Sequence, residues 1–244
     1  MDSGLGEDIV PTRYVVVTGG GKGIGLAIAE AFAQLGYSIM LCGRNEANLQ
    51  VAADTLRGKF ANLSVQFYPA DLSELRGVES FAAWCLQHGT PSILVNNAGS
   101  YLPGNSWEEP EGQMEKMLNT NFYSAYNLSR RLLPAMVQQG SGHIFNICSV
   151  ASLQAYEGGG SYSVSKFALH GFTQNLRHEL KKTGIKVTGV YPGAVMTDTW
   201  GDFDNSANRI MEASDVAKMV VAASQLSGQA VVEDILLRPQ LGDL

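Results

Sequence analysis

Short apolar runs alternate with longer amphipathic stretches along this chain. YVVVTG (14–19), SIMLCG (38–43), VQFYPA (65–70), SILVNNAG (92–99), HIFNICSV (143–150), KVTGVYPG (186–193) and AVVEDILL (230–237) read as strands. Between them, Ile24 to Leu35, Glu46 to Phe60, Glu74 to His88, Gln113 to Gln139, Tyr162 to Lys182 and Ala213 to Gln225 carry helix formers. Regular alternation of this kind predicts an α/β fold, with a doubly wound parallel sheet and helices on both faces. The strand runs are continuously apolar rather than alternating, as strands buried on both sides require. Two loops, 100–112 and 198–212, are rich in Gly, Asn, Pro and acids and follow strands, where open α/β sheets place their ligand crevice. No linker, repeat or low-complexity block interrupts residues 13–244, which are expected to form one domain; residues 1–12 read as a flexible tail.

Composition narrows the partners. The formal net charge of −6 argues against nucleic acid or an anionic membrane surface, though not against a local anion site. No run approaches the ~18 apolar residues of a membrane span, and MDSGLGEDIVPT has neither the basic nor the apolar region of a signal peptide. A cytoplasmic protein is expected. Cys42, Cys85 and Cys148 are scattered without metal spacing; Cys42 and Cys148, in apolar runs, read as buried thiols, and the four histidines form no metal motif.

The first motif with chemistry is TGGGKGIG, Thr18 to Gly25. It ends the first strand and opens the first helix, where glycines allow close approach of a pyrophosphate and the helix N-terminus offers N–H donors. Its spacing, G-x-x-x-G-x-G on Gly19, Gly23 and Gly25 with Gly21 and Ile24 between, is neither the strict G-x-G-x-x-G nor a P-loop. A tight strand–helix connection alone would use the same residues; after the first strand of a doubly wound pattern, a nucleotide site is expected. At the end of the second strand an NAD site wants an acid for the ribose 2′-hydroxyl. Here Cys42-Gly43-Arg44-Asn45 places arginine there, and Lys22 adds a second cation. Two cations describe a 2′-phosphate site and therefore NADP(H); two solvated surface cations are the alternative.

Tyr162 and Lys166 lie four residues apart in GGGSYSVSKFALHG (158–171), so a helix starting near Ser161 puts both on one face. A phenol is a poor acid at neutral pH until a neighbouring cation lowers its pKa, after which it can relay a proton. Ser149, ending the fifth strand, can hold a carbonyl oxygen. By itself Y-x-x-x-K is a weak signal; with the glycine turn and the serine it is a strong one.

With these pieces in order, the chain resembles the short-chain dehydrogenase/reductase family from Arg13 onward. Further matches are Asp71-Leu72, N-N-A-G at Asn96 to Gly99, Asn121, the thirteen-residue gap from Ser149 to Tyr162, and PGAVMT at Pro192 to Thr197. The resemblance implies a Rossmann-type sheet of about seven strands in the order 3-2-1-4-5-6-7. It implies Tyr162 as general acid, Lys166 as the group tuning it and holding the nicotinamide ribose, and Ser149 polarising the carbonyl. It also implies that Asn121 bends its helix and holds a water feeding protons to Lys166. Thr18, Gly19, Gly21, Lys22, Gly23, Ile24, Gly25, Arg44 and Asn45 would hold the cofactor's phosphates, and Asp71 and Leu72 its adenine. Asn97, Ala98 and Gly99 would flank the ribose, with Pro192, Gly193, Val195 and Thr197 at the nicotinamide end. Asn97 and Asn121 could instead organise backbone, and Asp71 could cap a helix as D-x-x-E with Glu74.

The implied activity is NADPH-dependent reduction of a small neutral ketone or aldehyde. The V-E-x-I-x-x-R-P ending (Val232 to Pro239) and PGAVMTDTWG (192–201) look like those of bacterial sepiapterin-reductase-like members. A 3-oxoacyl-carrier-protein reductase is the alternative, although the V-D-G-G ending usual in that group is missing; a non-catalytic NADP-binding regulator is another. Tyr101, Leu153, Tyr156 and Trp200 are expected to wall the substrate pocket, with Leu102, Trp107 and Phe203 also in those loops. A homodimer or homotetramer is expected through the helices at 113–139 and 162–182. These carry Phe122, Tyr126, Leu133, Phe167, Leu169 and Phe172 beyond the needs of one core-facing stripe.

Overall fold

In the computed structural model, which describes residues 13–197 and 200–243, seven parallel strands form one sheet. The elements run β1 (Tyr14–Thr18), α1 (Gly23–Gln34), β2 (Ser38–Gly43), α2 (Glu46–Lys59), β3 (Val65–Pro69), α3 (Leu75–His88) and β4 (Pro91–Asn96). They continue with α4 (Gln113–Leu118), α5 (Ser124–Gln139), β5 (Gly142–Ile147), α6 (Gly160–Glu179), β6 (Ile185–Pro192), α7 (Ala213–Ser224) and β7 (Asp234–Leu237). The strand order is β3-β2-β1-β4-β5-β6-β7, as the family resemblance implied. The expected flexible tail at 1–12 lies outside the described residues.

Alternate residues of one strand feed opposite faces. On β1, Val15 and Val17 join Ile28, Phe32, Ile39 and Leu41 under α1, α2 and α7. Val16, between them, joins Met40, Leu94, Phe81 and Leu128 under α3 and α5. All three valines are fully buried, which explains why β1 reads as an unbroken apolar run. Among the described residues no helix is long and apolar enough to cross a membrane, and no cluster of His, Cys, Asp or Glu could hold a metal. The three cysteines are free and buried.

Three elements differ from the apolar pattern. The stretch 113–139 is not one helix: a π turn, Asn119–Tyr123, separates α4 from α5. α6 starts at Gly160, before Tyr162. β7 is only four residues long, because 230–233 approach the sheet without pairing as a strand.

His143 sits at the opposite end of the sheet from the cleft described below. Its Nε2 lies 2.7 Å from the Thr188 hydroxyl, which itself donates to the Val232 carbonyl at 2.6 Å. The hydroxyl proton being used, the histidine must donate, so the neutral Nε2–H tautomer follows from the network. Nδ1 is buried without a hydrogen-bond partner, and the ring stacks on Phe145 at 3.9 Å. Burial, helped by the Lys186 charge, pushes its pKa down from 6.5 to about 3. The unfolded chain therefore binds the extra proton between those values, and folding stability falls as pH drops below about 6.5. This histidine alone should cost about 2 kcal/mol between pH 7 and pH 5. Urea unfolding of wild type and His143→Leu at both pH values checks this: the variant should lose that part of the acid sensitivity.

Candidate active site

The strand order reverses between β1 and β4, and the crevice opens above their C-terminal ends. Side chains stitch the two strands together there. The Thr18 hydroxyl donates to the Val95 carbonyl at 3.3 Å and accepts from the Asn97 and Ala98 N–H groups, each at 2.9 Å. Asn97 Nδ2 donates to the carbonyls of Thr18 (3.0 Å) and Gly19 (3.2 Å). Asn97 thus organises backbone directly, holding the glycine turn in place.

That turn requires glycine. Gly19 and Gly23 adopt φ of 64° and 57°, a left-handed conformation that side chains resist. A Cβ on Gly25 would overlap the Gly19 carbonyl and crowd Asn97. Lys22, at the N-cap of α1, has extended backbone and gives the first turn no side-chain acceptor. The N–H groups of that turn and the bare glycine backbone line the cleft, so the residues present fit a pyrophosphate. Lys22 and Arg44 are exposed and line the same cleft.

The cleft has a volume of about 890 Å³, enough for a dinucleotide's reactive half and a small substrate. It gathers nearly all the residues singled out from the sequence. Gly19, Gly21, Lys22, Gly23, Ile24, Arg44, Asn45, Asp71 and Leu72 line it, as do Asn97, Ala98, Gly99, Ser149, Tyr162, Lys166, Pro192, Gly193, Val195 and Thr197. Thr197 lies against Gly23 of the glycine turn. Thr18, Gly25 and Asn121 lie behind the wall rather than on it. Asp71 does not cap α3 with Glu74. Its carboxylate accepts from the backbone N–H and hydroxyl of Ser73 at 3.0 and 2.7 Å, an Asx turn, while α3 starts without a side-chain cap. Asn45 caps α2, accepting from the Asn48 N–H at 2.9 Å.

Three elements bring the reactive side chains together. Ser149 leaves β5 and opens a single 3-10 turn, Val150–Ser152, where its hydroxyl accepts from the Ala151 N–H at 3.1 Å. Tyr162 and Lys166 project from α6. Lys166 is buried and donates to the Ile147 carbonyl at 2.8 Å, with Nζ 5.9 Å from the Tyr162 ring centre. Burial lowers the Lys166 pKa, opposed by Cys148. Burial is also the largest influence on Tyr162, whose pKa is raised, while the interaction with Ser149 pulls it down. The lowering of the phenol by Lys166 expected from the sequence therefore does not dominate here; removal from water does.

The π turn places Asn121 under this group. Its Oδ1 accepts from the Ser100 N–H at 2.7 Å, and Nδ2 donates to the Ser100 carbonyl at 3.0 Å and the Ser165 hydroxyl at 2.9 Å. The side-chain amide is thus committed to protein partners, joining the loop after β4 to α6.

Of the residues expected to wall a substrate pocket, Tyr101, Tyr156 and Trp200 line the cleft. The Tyr101 ring stands edge-on to Tyr162 with centres 4.9 Å apart. Trp200 Nε1 donates to the Val195 carbonyl at 3.0 Å, which holds the indole in place. Leu153 is 42% exposed and lies off the cleft wall, so its expected pocket role is not supported; nor do Leu102, Trp107 or Phe203 line it. Sequence reasoning missed Gln154 and Asp243, both of which line the cleft. Asp243 comes from the C-terminal segment, folded back so that a Cβ on Gly193 would stand 2.9 Å from its Oδ1 and 3.2 Å from Pro239 Cδ. Arg238 pairs with the Asp243 carboxylate, and Arg209 donates to the carbonyls of Gly242 and Asp243 at 2.9 Å each. No local pattern marks Asp243, because only the return of the chain after β7 brings it there.

Comparison with known proteins agrees with this geometry. A family model described as short chain dehydrogenase matches residues 13–208. A Staphylococcus aureus (strain MRSA252) protein named only as an uncharacterized oxidoreductase is 32% identical over 95% of this chain and 99% of its own. An alcohol dehydrogenase of the archaeon Thermococcus sibiricus, solved with 5-hydroxy-NADP, superposes with a TM-score of 0.86 at 25% identity, covering 94% of this chain and 97% of that one. A variant of actinorhodin polyketide ketoreductase solved with NADPH also gives 0.86, at 28% identity over 96% and 98% of the two chains. With the glycine turn, the Ser149–Tyr162–Lys166 group and the strand order all in place, the chain belongs to the short-chain dehydrogenase family of oxidoreductases.

Proposed function

We propose that this protein reduces a small neutral ketone or aldehyde with NADPH. The observation that carries the reading is one cleft lined by the glycine turn, Lys22 and Arg44 together with Ser149, Tyr162 and Lys166. Solved relatives hold NADP or NADPH, and Lys22 with Arg44 supports the same choice here. Bound NADPH supplies the hydride. The Ser149 hydroxyl donates to a substrate carbonyl oxygen, and the Tyr162 hydroxyl protonates that oxygen as charge develops. Burial keeps Tyr162 protonated at neutral pH, which is the form a general acid needs in the reducing direction. Lys166, anchored on Ile147, keeps two further protons for ribose hydroxyls beside Tyr162.

The pocket supports a neutral, flat substrate. Tyr101, Tyr156 and Trp200 offer rings for stacking, each worth ~0.5–1.5 kcal/mol beyond area burial. The charge beside Gly193 is an acid, Asp243, and Arg209 is committed to the C-terminal carbonyls. Arg238 is paired with the Asp243 carboxylate, so a phosphopantetheine thioester would meet cations that already have partners. A panel of pterin-like or aromatic diketones, simple ketones, sugars and carrier-linked 3-oxoacyl thioesters, followed by loss of NADPH absorbance, tests this. If carrier-linked thioesters gave the highest kcat/KM, the 3-oxoacyl-carrier-protein reading would replace this one.

A second copy of the chain is the proposed partner. Tyr123, Val137, Val164 and Phe167 are 38–44% exposed on α5, α6 and the π turn, beside the aromatic cluster of Phe122, Tyr126 and Phe172. Leu169, expected in the same face, instead packs inside and takes no part. Light scattering at micromolar concentration should report at least a dimer; a particle with the mass of one chain rejects the interface.

A further inference from the structure

The glycine run before Tyr162 meets the loop after β4 at the start of α6. The Gly104 N–H donates to the Gly158 carbonyl at 3.0 Å. Gly158 and Gly160 take φ of 72° and 37°. A Cβ on Gly160 would overlap both the Gly104 carbonyl oxygen and the Glu109 carboxylate, so the loop docks only because that position is glycine.

Glu109 fills the place this creates. It is half-buried; Oε1 accepts from the Ser161 N–H at 2.8 Å and Oε2 accepts from the Ser161 hydroxyl. Burial pushes its pKa up, but the donors from Ser161 and Gln113 outweigh this and hold it below the usual carboxylate value. The N–H groups in the first turn of a helix have no partner within the helix. Gly159, the N-cap of α6, has no side chain to offer one. Glu109 supplies the acceptor from another part of the chain, and a negative charge there also suits the helix dipole. The capped residue immediately precedes Tyr162. The next one, Ser163, ties the same turn to the Ser149 segment, its hydroxyl donating to the Ala151 carbonyl at 2.9 Å. At the other end of the loop, Tyr101 stands edge-on to the Tyr162 ring.

We propose that Glu109 is a positioning residue that caps α6 from the substrate loop, fixing the Tyr162 ring and docking Tyr101 against it together. The proposal rests on the carbonyl-reductase reading above. Displacing a reacting group by about 1 Å can cost about 10²-fold, so a loosened first turn should show in kcat.

The test uses Glu109→Ala and Glu109→Gln in the full chain. In Glu109→Ala, amide hydrogen exchange at Ser161 should become at least about 10-fold faster, since the Glu109 acceptor is lost. On a substrate the wild type reduces, kcat should fall about 10-fold or more, with the NADPH Kd unchanged. The isotope effect with NADPH carrying deuterium at the transferred position should rise, because chemistry becomes slower than release. Glu109→Gln keeps an oxygen for the Ser161 N–H and should restore most of kcat. If Glu109→Ala fails to fold, Ser161→Ala removes one donor and is read in the same way. Wild-type kcat and isotope effect in Glu109→Ala would overturn the proposal, as would unchanged Ser161 exchange. If the wild type reduces no carbonyl in the panel, the functional reading fails by itself, and Ser161 exchange alone then decides whether Glu109 caps the helix.

Discussion

Tyr162→Phe should lower kcat for carbonyl reduction by about 10²–10⁴ while NADPH binding and the unfolding midpoint stay near wild type. The ring remains to pack against Tyr101, and Phe has the same shape, so the core of the site keeps its form. What disappears is the hydroxyl that lines the cleft from α6 and interacts with Ser149. The measurement is steady-state NADPH oxidation with the best substrate of the panel, together with a fluorescence titration of NADPH. Near-full turnover in the variant would remove Tyr162 from the reaction and leave the cleft with a binding role.

Arg44→Asp should reverse the cofactor preference toward NADH. Lys22 and Arg44 each offer a charged hydrogen bond to a 2′-phosphate, worth about 1.5–3 kcal/mol. At about 1.4 kcal/mol per decade, each residue contributes about 10–100-fold in NADPH affinity. Aspartate removes that contribution, repels the phosphate, and supplies the acceptor that a free 2′-hydroxyl wants. Parallel titrations with NADH and NADPH on wild type and variant measure the switch. A wild-type preference for NADH would show that the 2′-phosphate reading is wrong.

Much of the site was legible because its parts are local. A glycine turn between a strand and a helix, a tyrosine and lysine one helical turn apart, and a serine ending a strand each need only a few neighbouring residues to have their meaning. Asn121 was legible as a helix disturbance, and the π turn lies across it. Legibility failed where burial or chain return decided the outcome. Lys166 was expected to lower the Tyr162 pKa through proximity, yet both groups are governed first by their removal from water. Leu153 was grouped with the pocket as part of the loop after the fifth strand, but it is exposed and does not line the cleft.

The chain's own pattern determined the alternation of strands and helices, the double burial of the sheet and the residues proposed to hold a nucleotide and move a proton. Those properties follow from periodicity and from backbone demands that act over a turn or two of chain. Only the tertiary structure decided that Asn97 stitches β4 to the glycine turn, that Asp243 returns to Gly193, and that Glu109 reaches the first turn of α6. Each of these is a contact between segments far apart in sequence. Such contacts are set by how the strands order themselves and where the loops above them can fold, and no local pattern encodes that.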